Sequence, residues 1–431
     1  MEAEGLSNPQ PTFAIKLVFI LFGIASLLGC NALLTELSFF DHFLHSMNPF
    51  VSFPFLNYFL NVVFQILIFI KKDLFPLKFQ LIGGIIGSIF FLVVIPLFTI
   101  ILDKDSAINK IVTGAFIVLM GFINALCNAG FYGLVSFFPM ELIVSLTTGQ
   151  GLSGISMALI QYIVLFTIKS GEDNDDKPII MQGLVFFISS IIILVVCLVI
   201  LLISYNKEFF QYYLNKKDDK PGTSSEIEIN ESLSSINEKK VNSSDKIQTN
   251  GELTFTQIFS RIWSFDLLIL LNYIVTFTVY PGASINQKLF SLTGAFNSNS
   301  VIMIYNIFDT LGRIFVSKMK PTKKLNMIII LARTVLLFTI IFNYYCQDKL
   351  EWNIVITSIL LIINVAILAA TNGIATTLCF GLAPNEVENE YKGQAGSSVS
   401  LFLIIGIVGG SSLAFVADMI IDTFRKQPVT E

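Results

Sequence analysis

A chain of 431 residues that is 54% hydrophobic and only 13% charged, with a mean hydropathy of +0.74, lies far from a water-soluble protein, where about 25% of residues are charged. Its formal charge of -4 is too small to suit a nucleic-acid partner, and its basic residues fall in short loops rather than along one face. The 41 phenylalanines suit helix walls that face lipid or a lumen.

The polar stretch Met1–Gln10 lacks the basic region of a cleaved signal peptide, and the apolar run after it is too long for one, so that run is expected to stay as a span. Runs near the roughly 20 residues that a bilayer requires fall at 12–36, 50–70, 77–102, 110–137, 150–168 and 178–204, then at 260–281, 297–317, 325–346, 352–383 and 393–423. The predicted fold is therefore all-α and polytopic, with eleven transmembrane helices. It divides into a six-helix bundle (1–205), a polar linker (206–255) and a five-helix bundle (256–431). The linker, rich in Lys, Asp, Glu, Ser and Asn, has too few apolar residues to fold alone and is expected to be disordered.

Two sequons in it, at Asn230 and Asn242, argue for an external loop, but lysine placement argues the reverse. Lys71, Lys72, Lys78, the linker lysines and the Lys318–Lys324 cluster gather on one side, which the positive-inside rule makes cytosolic. An odd span count then leaves the C-terminus outside.

Cys30, Cys127, Cys197, Cys346 and Cys379 sit in or beside apolar runs with no CxxC spacing, which reads as small buried residues. His42 and His45 form an HxxH without a third ligand, so no metal site is expected. No P-loop, HExxH or GxSxG with a partnered histidine appears; the expectation is no enzyme and no cofactor.

Charges inside spans cost about 2.5 to 3.5 kcal/mol each on insertion scales, which makes Asp309, Arg313 and Arg333 the most informative letters. Asn306, Asp309 and Arg313 fall at i, i+3 and i+7, on one face of the eighth span. At about 1.5 Å rise per residue, Asp309 and Arg333 lie at similar depth, so Asp309 is able to meet Arg333 across helices as well as Arg313 along its own. A solute site and a static brace are both open on this pattern. Asn31, Asn128, Asn364 and Asn372 are weaker signals, and Gly149, Gly151 and Gly154 read as packing notches. Pro281 closes the seventh span.

Several segments, in order, resemble the equilibrative nucleoside transporter family: Asn128–Ile155 with its Gly149-Gln150-Gly151, YNIFDTLGR at 305–313, LARTVLLF, TNGIATTLCFGLAPNE at 371–386 and GQAGSSVSLFLIIGIVGG at 393–410. The resemblance implies a major-facilitator-like arrangement of six plus five helices, with a central cavity that opens alternately to each side. It also implies that Asp309 and Arg313 contact the ribose hydroxyls, with Asn306 one turn earlier. Where the family's first span reads Pro-Trp-Asn this chain has Gly29, Cys30 and Asn31, and where the fourth offers Gln it has Asn128. Cys30, Asn31 and Asn128 are thus expected near the base, and Arg333, Pro281 and Gln150 in gating or structural roles.

The expected function is facilitative transport of nucleosides, and of nucleobases as a further class, across a membrane, most simply the plasma membrane. The partners are the substrate and the bilayer, with no obligate protein partner implied. Proton coupling through Asp309 or Asp418, a sugar or drug carrier of the general major facilitator type, and a non-transporting receptor or scaffold are the competing readings.

Overall fold

The computed structural model describes residues 10–70, 74–168, 176–215, 255–292, 294–348, 350 and 352–426. Among these there is no strand. The helices of the first half are α1 (Phe13–Thr35), α2 (Pro49–Ile70), α3 (Leu77–Ile101), α4 (Ala107–Val135), α5 (Met140–Thr167) and α6 (Lys177–Tyr205). Those of the second are α7 (Phe255–Val279), α8 (Gly294–Phe315), α9 in two segments (Lys323–Ala332 and Val335–Asp348), α10 (Ile354–Leu382) and α11 (Lys392–Lys426). Ten of the eleven are long and apolar enough to cross a bilayer; α2 carries a shorter apolar stretch, Ser52–Ile68.

Local chemistry sets the ends. Thr12, Ser106, Thr322 and Asn353 accept backbone N–H groups at the starts of α1, α4, α9 and α10, which satisfies donors that no preceding turn can. α5 begins at Met140, just after Pro139, ten residues before its expected start at 150. Hydropathy misses that start because Ser145, Thr147, Thr148 and Gln150 dilute the apolar signal, although all four are buried against neighbouring helices.

Composition also places the linker's start too early. Glu208–Asn215 form a helix whose Phe210 stacks on Phe19 of α1, with ring centroids 5.4 Å apart, and packs against Phe138. Four aromatics in this stretch, Phe209, Phe210, Tyr212 and Tyr213, offset its charged surroundings. Positions 216–254, with Asn230 and Asn242, lie outside the described residues, as does the side chain of Asp418.

α1 lies along α5 and α6, α4 along α2 and α3, α7 along α11, and α8 along α10. The two halves meet where α5 packs on α8 and where α11 packs on α4 and α2. α1 and α5 approach so closely that a Cβ at Gly23 would strike the Leu146 carbonyl and one at Gly149 the Ile20 carbonyl. Small residues of this kind allow backbone contact where lipid supplies no hydrophobic drive between helices.

The ends of α2, α4, α6 and α8, and the starts of α1, α3, α5, α7, α9 and α11, share the side on which the linker leaves α6; we call it the linker end. His42 and His45 lie at the far end and face different carboxylates, Asp176 and Asp41. His42 holds the Asp176 carboxyl below its usual range, with Lys104 contributing. All five cysteines are free and buried.

Candidate functional site

α8 carries the charged face. Its outward residues, Ile307, Leu311 and Ile314, are exposed to the lipid side, which turns Asp309 and Arg313 inward, each 4% exposed. One helical turn separates them, and Arg313 Nε donates to Asp309 Oδ2 at 2.7 Å. The second carboxylate oxygen, Oδ1, accepts from Asn372 Nδ2 of α10 at 2.8 Å. Arg313 does not reach back to the interface; its Nη1 crosses to the other half, donating to the Thr147 carbonyl at 3.1 Å and to Gln150 Oε1 at 3.2 Å. Gln150 ties the cluster further into the first half. Its Oε1 also accepts from the Tyr132 hydroxyl at 2.6 Å, and its Nε2 donates to Ser26 of α1 at 3.1 Å.

Arg333 takes a different position from the one that depth alone allows. It sits at the break in α9, fully enclosed in the second half, and donates to Asn272, Thr276 and the Leu368 carbonyl. Among the described residues it forms no ion pair with Asp309; Asn372 stands between them, donating to Asp309 and lying 3.4 Å from Arg333 Nη1 through its own Oδ1. Asn372, read in the sequence as a weak signal, is therefore the bridge between the two charged groups. Its spacing from Thr376, which Asn272 also contacts, is one turn of α10.

The other expected residues divide into those drawn into this cluster and those that are not. Asn306 lies against Gly154 of α5, where any Cβ would collide with its amide. Asn31 donates to Ser153 of α5 at 3.1 Å, one turn from Gln150. Cys30 contacts the hydroxyl of Tyr58 of α2 at 3.4 Å. Asn128 is buried on α4, and its Oδ1 has no hydrogen-bond partner. Pro281 is exposed beyond the end of α7, joined to Tyr280 by a cis peptide bond; it lies outside the charged cluster.

Below the cluster, toward the linker end, the halves are sealed. Tyr132 of α4 stacks on Phe380 of α10 with centroids 3.6 Å apart and planes 3° from parallel. Thr147 of α5 meets Thr377 of α10 at 3.1 Å. Further down, Met140 fills the notch at Gly381, and Ser136 that at Gly396. Toward the far end, α5 and α8 stay joined through the Tyr162–Ser300 hydroxyl contact at 2.6 Å and the Asn299 amide on the Ala158 carbonyl. Chemically the cluster offers a carboxylate with unused lone pairs, and a guanidinium whose Nη2 makes no hydrogen bond among the described residues.

Solved structures with the same arrangement are major facilitator transporters. The chain overlays a proton:xylose symporter, XylE, with a TM-score of 0.63 at 11% identity, covering 97% of this chain and 90% of that one. It overlays the E. coli fucose:proton symporter FucP with a TM-score of 0.55 at 14% identity, covering 96% and 92%. These identities speak to the fold: an all-α major-facilitator arrangement. In sequence, the chain is 23% identical to "Equilibrative nucleotide transporter 1" of Arabidopsis thaliana, over 96% of this chain and 88% of that protein. It is also 23% identical to "Equilibrative nucleoside transporter 2" of Homo sapiens, over 71% of each. The family model described as nucleoside transporter matches residues 114–419, which include the whole charged face of α8 and its partners on α5 and α10. The chain belongs to the nucleoside transporter family.

Proposed function

We propose that this protein carries nucleosides down their gradients by alternating access, and that Asp309 and Arg313 hold the ribose. The carrying observation is the buried pair on α8, joined at once to its own half through Asn372 and to the opposite half through Gln150 and Thr147. A vicinal diol donates to a carboxylate and accepts from a guanidinium, so it satisfies both groups without a net change of charge. Such a substrate also replaces the bonds by which Arg313 holds the two halves together, which links binding to movement.

The conformer is closed at the linker end. The lysine distribution makes that end cytosolic, so a substrate leaving toward the cytosol requires the Tyr132–Phe380 and Thr147–Thr377 contacts to part. Arg333 acts as a structural cation that fixes α7, α9 and α10 around the site, and Gln150 as the joint between Arg313, α1 and α4. No catalytic step and no cofactor enters this cycle.

The test is uptake of labelled adenosine, inosine, uridine and hypoxanthine into vesicles containing the purified protein. Equilibration of nucleosides to equal concentration on both sides, unmoved by an imposed proton gradient, is the expected result. Accumulation driven by the gradient, or transport of sugars alone, overturns it.

A further inference from the structure

The first-span aromatic that the resemblance leads one to expect near the base is replaced here by Cys30, and the structure fills the surroundings with tyrosine. Tyr273 and Phe277 fall at i and i+4 on one face of α7, and Tyr280, the residue just past its end, continues that face through its N–H bond to the Thr276 carbonyl. That face meets Tyr58 of α2, whose ring lies 6.4 Å from that of Phe277. Tyr280 stacks on Tyr305 of α8, centroids 3.8 Å apart and planes 9° from parallel. Tyr305 precedes Asp309 by four residues, so it stands one turn above the carboxylate on the same side of α8, toward the far end. Tyr305 and Asp309 are within electrostatic reach of each other, as are Tyr58 and Tyr280.

What sets these phenols apart is their unspent donors. Tyr280 and Tyr305 are 8% and 7% exposed, and among the described residues neither hydroxyl makes a hydrogen bond. The Tyr58 hydroxyl accepts from the Cys30 thiol, which leaves its own proton free. The Tyr280 and Tyr305 hydroxyls keep some accessible surface, yet a buried phenol ordinarily finds a partner within the protein. Tyr132 on the other side of the cluster does so, through Gln150. Three unmet donors, two of them within electrostatic reach of Asp309, mark a place that a ligand with acceptor atoms completes.

We propose that Tyr58, Tyr280 and Tyr305 are the base-reading residues, presenting phenolic O–H donors to the acceptor edge of a nucleobase while Asp309 and Arg313 hold the sugar. The proposal rests on the ribose site described above. Its ligand class is a base with oxo or ring-nitrogen acceptors, and it assigns to α2, α7 and α8 the recognition that an aromatic on α1 would otherwise supply.

The experiment uses three probes on the reconstituted full chain: inosine, hypoxanthine and a benzimidazole riboside whose base lacks the oxo group. Tyr280→Phe, Tyr305→Phe and Tyr58→Phe keep the rings and remove the donors. At least one of them raises KM for inosine and hypoxanthine about five- to tenfold, the worth of one hydrogen bond, and moves the benzimidazole riboside less than twofold, with the melting temperature of the purified protein held. Asp309→Asn abolishes uptake of both ribosides and spares hypoxanthine. Equal shifts for inosine and the benzimidazole riboside in all three variants, or no shift in any, overturn the tyrosine assignment. If Asp309→Asn transports both ribosides normally while a tyrosine variant discriminates among the bases, the ribose reading fails and the tyrosine reading stands. A wild-type protein that moves none of the three probes overturns both.

Discussion

Around Asp309 and Arg313 the polar groups, Arg313 Nη2 excepted, are answered by other polar groups, whereas one turn toward the far end the phenols of Tyr280 and Tyr305 make no hydrogen bond among the described residues. On the proposed reading, the first region is a largely finished network that a sugar enters by substitution, and the second an unfinished one that a base enters by addition. The contrast suggests why such a carrier need not bind tightly: exchange of bonds at the sugar contributes little net energy, and the gain comes from the few donors left unmet. A modest affinity suits release on the opposite side.

The largest effect belongs to the finished region. Arg313→Ala leaves the Asp309 carboxylate without its cation in a buried setting, a change that costs about 3 to 5 kcal/mol. The expected outcome is loss of nucleoside uptake and a marked fall in the melting temperature of purified protein. Asp309→Asn is expected to abolish uptake of nucleosides with a smaller thermal penalty, since the amide still accepts from Arg313. Normal uptake by both variants would break the comparison at its stronger side.

Gly373→Ala comes next. A Cβ there meets the Asp309 carbonyl, so α8 and α10 must part to admit it. Overpacking of this kind costs about 1 to 3 kcal/mol, and the shift should reach the Asn372–Asp309 bond, raising KM for nucleosides in direct uptake assays. An unchanged KM and melting temperature would show that the pairing of these helices does not hold the carboxylate in place.

Asn128→Ala tests the unfinished side from the first half. Its Oδ1 has no partner to lose, so stability should change by less than about 0.5 kcal/mol or improve. Uptake of nucleosides should nevertheless fall several-fold if this amide joins the base. A thermal loss beyond that bound would mark Asn128 as a structural residue instead.

The smallest effect lies at the far-end surface. His42 holds the Asp176 carboxyl low, so the group is charged in the folded protein at pH values where the unfolded chain has begun to take up protons. The stability it contributes is therefore present above the ordinary carboxylate range, near pH 4, and is lost as pH falls through it. Melting temperature measured from pH 6 down to pH 3 should decline slightly less steeply in Asp176→Asn than in the parent. The pair is solvent-exposed and screened.

Much of this was legible in the letters. Eleven apolar runs and the inward face of α8 follow from length, spacing and the cost of charge in lipid, whereas Gln150 was singled out only through the family resemblance. The start of α5 was not, because its hydroxyls and amide look polar until Tyr132, Ser26 and Thr377 are seen to meet them. Nor was the separation of Asp309 from Arg333, since depth along two helices says nothing about which side chain lies between. Asn372 occupies that place on a third helix. The tyrosines were hidden for another reason: in a chain with 13% aromatic residues, a phenol gives no signal until its hydroxyl is found without a partner.

The glycine contacts between α1 and α5 bear on which inherited changes the protein can accept. At Gly23 and Gly149 the opposing atoms are backbone carbonyls, so no choice of neighbouring side chain can make room for even one methyl group. A codon change from glycine to alanine at either position calls for compensation by movement of a whole helix, and no second single substitution supplies it. Neutral drift in this membrane protein is therefore steered toward its lipid-facing phenylalanines and leucines. The gene stays poor in options along the line where the transport unit's own helices touch.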